Sequence, residues 1–423
     1  MIEKITKEIH KYGFDDYKII EIDSCEHQLY LLKEALEAKR TVDSHYYEIT
    51  VYQNHDEQGK KLKGEYTFVY KPGTYLKNFL ELAKFACSMV RNRYYALLDT
   101  TSASRVKVLD PRLSDPNKAC EQLCDTIYRC SKSAHVRLSS AEIYLKKSVV
   151  TLLTSTGIEV SKEKGLIEIE FTLISKKGAN EQELNFHIQR RNFDDLHLET
   201  RLKEYQGHVR SMLNVQVPES GKATVIFMAP DVYDLFSPIV FHSSGRAKDQ
   251  AISRFRLNEK IVRGDTNTFT LKSSGLLPYG LYTDPFDDDG IAGGEHTIIE
   301  QGTFKKYWTT KRYADYLGTE PTGDFRNLII EPSISKRLST DEHYEIVQFS
   351  DFSPDPITGD FVAEIRFGYR VRNGKKTPVK GGSVAGNLFE SLKHVYFNDE
   401  STFEGNYLGP RTVALQDLSI SGK

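Results

Sequence analysis

The stretch Phe361-Val362-Ala363-Glu364-Ile365-Arg366-Phe367-Gly368-Tyr369-Arg370-Val371-Arg372-Asn373-Gly374 decides how the second half of the chain is read. Apolar side chains fall at every second position from Phe361 to Val371, the period of a strand that buries one face. Asn-Gly follows, the dipeptide that most readily takes positive φ at both central positions of a two-residue hairpin. A sheet is therefore expected here. Upstream, Pro218 to Gly221 breaks all periodicity and Thr224 to Phe227 opens a new strand, which places the main boundary between residues 217 and 218.

Ahead of that boundary helical and strand periods alternate. Ile2, Ile5 and Ile9 recur at helical spacing, while Tyr46 to Tyr52 and Tyr66 to Tyr70 are rich in aromatic and β-branched residues and read as strands. After Pro72-Gly73, Leu76, Phe79, Leu80, Ala83, Phe85, Ala86 and Val90 predict an apolar helix over one sheet face. Asp110-Pro111 to Pro116-Asn117 reads as a joint followed by a helix, and Ile143 to Leu153 as one or two strands. Ile167, Ile169, Phe171 and Leu173 alternate with Glu168, Glu170 and Thr172 as a half-buried strand does. Leu198, Leu202, Tyr205, Val209 and Met212 step by four and three and predict an amphipathic helix. The fold class is α+β. Residues 1–217 are expected to form an α/β-layered region with a mixed or antiparallel sheet and long helices, subdivided near 110–116; residues 218–423 form a β-rich domain.

Composition bounds the function. The 423 residues are 39% hydrophobic and 11% aromatic, enough for two cores, and 57 Lys and Arg against 59 Asp and Glu supply no global drive toward nucleic acid or anionic lipid. The N-terminus, Met1-Ile2-Glu3-Lys4-Ile5, is charged where a secretory signal needs an apolar core, and no long uncharged apolar run occurs, so a cytoplasmic chain without membrane association is expected. The five cysteines, Cys25, Cys87, Cys120, Cys124 and Cys130, form an odd set in the first third, which suits free thiols in a reducing compartment.

An ordered series of short motifs runs through the second half: Phe286-Asp287-Asp288-Asp289-Gly290, Ile298-Ile299-Glu300-Gln301-Gly302, Thr322-Gly323-Asp324, Asn327-Leu328-Ile329-Ile330, Thr358-Gly359-Asp360-Phe361, Val384-Ala385-Gly386-Asn387-Leu388, Gly409-Pro410-Arg411 and Leu418-Ser419-Ile420-Ser421-Gly422. In order and spacing the series resembles the C-terminal block of the TldD/PmbA metallopeptidase family. That family's catalytic subunit carries a His-Glu-x-x-x-His zinc helix, and in this chain no His is followed by Glu. The corresponding stretch is Ser237-Pro238-Ile239-Val240-Phe241-His242-Ser243-Ser244-Gly245-Arg246-Ala247, with His242 at the first ligand position, Ser243 in place of the carboxylate and Ala247 in place of the second His. The catalytic subunit is also understood to use a C-terminal Cys ligand, and no Cys follows Cys130. Zinc hydrolysis needs about three protein ligands, an open water position and a carboxylate for the proton.

The chain thus resembles the PmbA side of the family, also called TldE. The resemblance implies a subunit with no catalytic residue and no metal of its own, zinc being held by a TldD-like HExxxH partner, and extended peptides, unfolded or leader-bearing, as substrates. Such peptides would add a strand to an open sheet edge. Candidates for the peptide cleft or subunit interface are His242, Phe286, Asp287, Asp288, Gly290, Gly386 and Asn387; self-association stays open. Two other classes remain: an independent hydrolase, and a stand-alone regulatory or binding protein, including the role in the family's older name, modulator of DNA gyrase. The neutral charge balance counts against nucleic-acid binding.

Other motifs give way to simpler readings. Placing Gly290 at the sixth position of a calcium loop puts Pro285 first and His296 twelfth, so both obligatory carboxylates are missing and an Asp-rich turn is the better reading. Cys120, Cys124, Cys130 and His135 match no recognised ligand spacing. Ser333-Ile334-Ser335-Lys336 has the Ser-x-x-Lys form without a supporting second motif. Arg370, Arg372, Lys375, Lys376 and Lys380 around the hairpin read as a solvated turn.

Overall fold

A seven-stranded antiparallel sheet organises the N-terminal half in the computed structural model, which describes residues 1–33, 35–262, 267–334 and 336–423. In chain order its surroundings are α1 (Ile2–Lys11), β1 (Asp16–Leu32), β2 (Ala35–Glu57), β3 (Lys60–Tyr70), α2 (Leu76–Met89), β4 (Asn92–Arg93), α3 (Pro116–Cys130), β5 (Val136–Thr154), β6 (Glu159–Lys177), β7 (Asn180–Arg190) and α4 (Leu198–Ser211). The strand order is β4-β3-β2-β1-β5-β6-β7. The joint expected at 110–116 is a 3-10 turn, Pro111–Ser114, inside this one layer: β1 pairs directly with β5, so segments on both sides of the turn share a sheet. The turn still punctuates the chain, because the Asp110 side chain accepts from Arg112 N and the Asp115 side chain caps α3 with Pro116 in its first turn.

All four helices cover one face. α1 and α2 pack on Ile19, Tyr47, Ile49 and Phe68; α3 and α4 pack on Ile143, Leu145, Ile167, Ile169 and Phe171. Strand register puts these apolar sets on the same side and leaves Lys18, Ile20, Leu152 and Lys162 on the other. On α2 the sheet-facing set is Leu76, Leu80, Ala83 and Cys87, while Phe85 and Met89 are exposed, so the helix is narrower in its buried stripe than its composition predicts. The strands around Tyr46 and Tyr66 run much longer than their aromatic cores, because long hairpin arms carry polar pairs that no period announces.

The C-terminal half contains β8 (Gly221–Met228), α5 (Ala229–Leu235), α6 (Ser237–His242), α7 (Gly245–Asp249), β9 (Thr268–Ser274), β10 (Glu295–Glu300), β11 (Thr303–Phe304), α8 (Lys311–Leu317), β12 (Asn327–Ser333), β13 (Glu342–Phe349), β14 (Asp360–Arg372), β15 (Lys375–Val379), β16 (Ser383–Asn387), α9 (Leu388–Ser391), β17 (Val395–Phe397), β18 (Ser401–Phe403), β19 (Tyr407–Pro410) and β20 (Thr412–Ser421). One sheet has six strands in the order β11-β10-β9-β12-β19-β18. In the other, β13-β8-β20-β16-β14 closes on itself because β14 also pairs β13. Phe227, Phe269, Phe304, Ile346, Phe361 and Phe397 belong to one core between them.

The long alternating strand is β14, and Asn373 (φ 48°) and Gly374 (φ 77°) turn it into β15 as the two-residue hairpin requires. Phe361, Ala363 and Ile365 enter the C-terminal core. Beyond a register irregularity with β13, Phe367 packs instead in the N-terminal core and the Tyr369 hydroxyl meets His208 Nδ1 at 3.0 Å. One strand thereby ties both halves together.

Candidate functional site at the domain seam

The loop after β9 carries Asp284 to Gly290 against the open face of the N-terminal sheet. Phe286 is buried against Ile20, Val150, Leu152 and Ile158, which fixes the loop by apolar contact. Lys162, fully inside on β6, donates to Asp284 Oδ2 at 3.1 Å and to the Phe286 carbonyl at 2.8 Å, and its ammonium lies 4.7 Å from the centre of the Phe286 ring. Arg191 and Arg326 approach the same Asp284 carboxylate at 3.6 and 3.9 Å. Burial pushes the Asp284 carboxyl up, but Lys162, Lys164 and Arg191 together hold it below the ordinary value.

Asp287 behaves in the opposite sense. Its Oδ1 accepts the backbone N–H groups of Asp289 and Ile291 at 3.0 and 2.8 Å, and Gly290, at φ +89°, completes the turn by donating to the Asp287 carbonyl. This is the Asp-rich turn read from the sequence. Oδ2 is buried with no hydrogen-bond partner among the described residues. Burial, then the charge of Asp289, pushes the Asp287 carboxyl up to about 6, with Asp324 adding to the rise. Burial raises Asp324 as well. Asp288 is exposed, and Asp289 pairs with Lys18 at 2.9 Å.

A strap between β4 and α3 binds the far side of the loop. Ser104 donates its N–H to the Pro285 carbonyl and its hydroxyl to the Gly293 carbonyl at 2.9 and 2.6 Å, and Thr101 donates to the Gly290 carbonyl. The seam therefore has a clamped acid, Asp284, and beside it two carboxyls, Asp287 and Asp324, that burial shifts toward the protonated form.

The other candidate residues gather elsewhere. His242, at the end of α6, is fully buried; its Nε2 lies 2.8 Å from the Ile357 carbonyl, and Nδ1 accepts from the Arg254 N–H at 3.2 Å. Those partners assign the proton to Nε2. Burial lowers its basicity and the ring packs edge-on against Phe389. Asn387 donates to the Thr358 carbonyl and to Asp360 and accepts from Glu390 N–H, capping α9. Gly386 pairs with Phe361 across β14, and a Cβ there would sit 2.4 Å from Leu418 Cδ2. The structure thus brings His242, Gly386 and Asn387 around the 355–360 turn and α9, and Phe286, Asp287, Asp288 and Gly290 into the seam.

Sequence reasoning missed Lys18, Lys162, Arg191 and Arg326. Lys162 and Lys164 alternate with Ser161 and Glu163, and nothing in that pattern says which lysine is covered by a loop 122 residues away. Arg370 and Arg372 of the basic hairpin are neutralised by Glu219 and Glu342. The cysteines are free thiols. Of the Ser-x-x-Lys motif, Ser333 ends β12 and Ser335 lies outside the described residues.

A strand ring fused to a six-stranded sheet, docked through a charged seam on an α/β-layered half, defines a mixed α/β protein with a β-rich C-terminal region. Residues 220–422 match the model of the PmbA/TldA metallopeptidase C-terminal domain, so the second half of the chain carries a domain of that family. A protein of Methanocaldococcus jannaschii, Uncharacterized protein MJ0231, is 28% identical over 210 residues, 46% of this chain and 50% of that relative. The chain thus spans about half the length of that relative. A Zinc metalloprotease TldD homolog of Saccharolobus solfataricus is 23% identical over 316 residues, 68% of each chain. The fold is that of TldE from Thermococcus kodakarensis, with a TM-score of 0.81, 19% identity and 100% of both chains covered.

The residues at the family's zinc position do not fit a zinc ion. His242 has both ring nitrogens engaged by main chain, the Ser243 hydroxyl donates to the Val240 carbonyl at 2.9 Å, and Ala247 offers no donor. Ser244 caps α7 by accepting from Ala247 N, so the helix breaks between positions 242 and 247. Positions five apart on an unbroken helix already differ by about 140° in direction. Among the described residues no helix is long and apolar enough to cross a membrane.

Proposed function

We propose that this chain is the subunit of a two-chain cytoplasmic metallopeptidase that does not hold the family's catalytic zinc. The observation that carries the reading is His242: the family's C-terminal domain is present, yet the one remaining histidine of its zinc position is buried with both nitrogens occupied. The metal and the proton-moving carboxylate come from an HExxxH-bearing partner, and extended peptides, unfolded or leader-bearing, are the substrates. This chain contributes shape: a wall for the peptide and an interface for the partner, with Phe286, Asp287, Asp288 and Gly290 shaping the seam behind that wall. No bond-making step is assigned to its own residues.

The test is peptide hydrolysis by the purified chain, by a purified HExxxH partner, and by the two together, each with and without a chelator. Activity that is chelator-sensitive and confined to the pair is the expected result. Chelator-sensitive hydrolysis by this chain alone would overturn the reading.

A further inference from the structure

The open face of the N-terminal sheet carries a second feature, remote from the His242 position. Glu168 and Glu170 stand two residues apart on β6 and so project to one face. Across the unbroken β6–β7 register, His187 is the partner of Glu170 and Gln189 that of Glu168. His187 Nε2 lies 2.7 Å from Glu168 Oε1, and one donor atom from each of Glu168, Glu170 and His187 falls within 4.8 Å of the other two. Ligands of a first-row divalent ion, bound at about 2.0–2.2 Å, lie about 3–3.5 Å from one another. Small side-chain rotations on a fixed pair of strands therefore suffice to close the set.

Charge favours a cation at this place. No Lys or Arg ion pair to Glu168 or Glu170 is found among the described residues. On the next strand, β5, their register partners are Tyr144 and Glu142, and the Tyr144 hydroxyl is directed to the Glu142 carboxylate. Three carboxylates on adjoining positions thus share a face with one imidazole, and the nearest lysine along β5, Lys146, stands opposite Leu166 without an ion pair to either glutamate among the described residues.

The geometry points to a divalent-metal site formed by Glu168, Glu170 and His187. One imidazole with two carboxylates suits zinc, cobalt, nickel or manganese; calcium, which takes six or more oxygens, and copper(I), which favours sulfur, are the wrong chemistry. Three protein ligands leave coordination positions for water. β7 is the outer strand of the sheet, so the ion would clip it to β6. The site lies on the same face as Lys162, six residues along β6 and thus about 20 Å from the seam. It is independent of the peptidase reading, which concerns the His242 position.

The experiment is titration of the chelator-stripped full chain with Co²⁺, read by visible absorption, followed by displacement with Zn²⁺, in the natural chain and in Glu170→Gln and His187→Gln. The expected result is one ion per chain, bound at least tenfold more tightly than by either variant, and a rise in unfolding temperature with saturating Zn²⁺ that both variants lose. Metal-free unfolding temperatures should match in all three, which separates lost ligands from lost fold. Equal binding by the natural chain and the variants, or no binding by the natural chain at millimolar metal, would overturn the site.

Discussion

Lys162 on the N-terminal sheet and Asp284 on the C-terminal loop meet at 3.1 Å across 122 residues of sequence, with the lysine almost entirely removed from water. The pair is held by more than attraction between two charges. Lys162 also serves the Phe286 carbonyl, and Asp284 is shared with Arg191 and Arg326. A buried pair of this kind is costly to break from one side, because the surviving charge stays in place without its partner.

Lys162→Met is therefore expected to destabilise the chain by about 2–4 kcal/mol, and Asp284→Asn by about 3–5 kcal/mol, since it leaves several cations facing a neutral group. Denaturant unfolding of both single variants and the double variant measures the coupling. Losses below about 1 kcal/mol for both singles would mean that water reaches the seam and screens it.

Asp287 gives the seam a pH signature. Its folded carboxyl titrates near 6, above the ordinary aspartate value of about 3.9, so the folded state holds the proton more tightly than the unfolded chain. Stability from this group is fully present below about pH 4 and is lost as pH rises through 6. Asp287→Asn should flatten that part of the profile and make the chain more stable than the natural one at pH 7–8, on the order of 1–2 kcal/mol. A variant less stable at pH 8 than at pH 4.5, by as much as the natural chain, would assign the slope to other groups.

His242 has the reverse sign. Burial depresses its folded basicity, so the unfolded chain binds the proton more readily and stability falls as pH drops below about 6.5. His242→Ala removes that slope and empties a packed site between Phe255 and Phe389, at a cost of about 2–4 kcal/mol. At temperatures where the variant stays folded, the peptide hydrolysis of the pair should be unchanged. Loss of hydrolysis with intact folding and intact pairing would give the imidazole a chemical role after all.

Gly386→Ala should cost about 1–3 kcal/mol, because the added carbon lands 2.4 Å from Leu418 Cδ2 and 2.9 Å from Phe361 Cζ inside the closed strand ring. Thermal unfolding checks it. A stability within about 0.5 kcal/mol of the natural chain would show that Leu418 can turn away.

The parts of the fold with a clean period were legible in advance. Phe361 to Val371 announced β14, Asn373-Gly374 its hairpin, Ile167 to Leu173 the centre of β6, and Leu198 to Met212 the helix that became α4 with a short 3-10 turn after it. β1 was not legible. Ile19 and Leu29 are separated by Glu21, Asp23, Cys25 and His27 on the same face, a stretch that lies between the two helix pairs and needs no apolar residues.

The candidate site divides in the same way. The turn at Asp287 to Gly290 follows from Asp and Gly side chains acting on their own backbone, which is local physics. Lys18, Lys162 and Arg191 acquire their meaning only from what the fold lays on top of them, and a spacing rule cannot see that. Glu168, Glu170 and His187 are intermediate: the two glutamates share a face by the strand period alone, whereas the histidine joins them only once β7 is registered on β6.

The pairing of β1 with β5 carries a consequence for how the chain reaches this state. Residues 16–32 lie between residues 35–57 and residues 136–154, so the middle of the N-terminal sheet cannot close until synthesis has passed the strap and α3. Such non-local closure costs loop entropy before it returns any contact energy, and it slows folding. A nascent chain halted at residue 110 would hold the β4-β3-β2-β1 meander with the β1 edge bare, a template for aggregation rather than a half-protein.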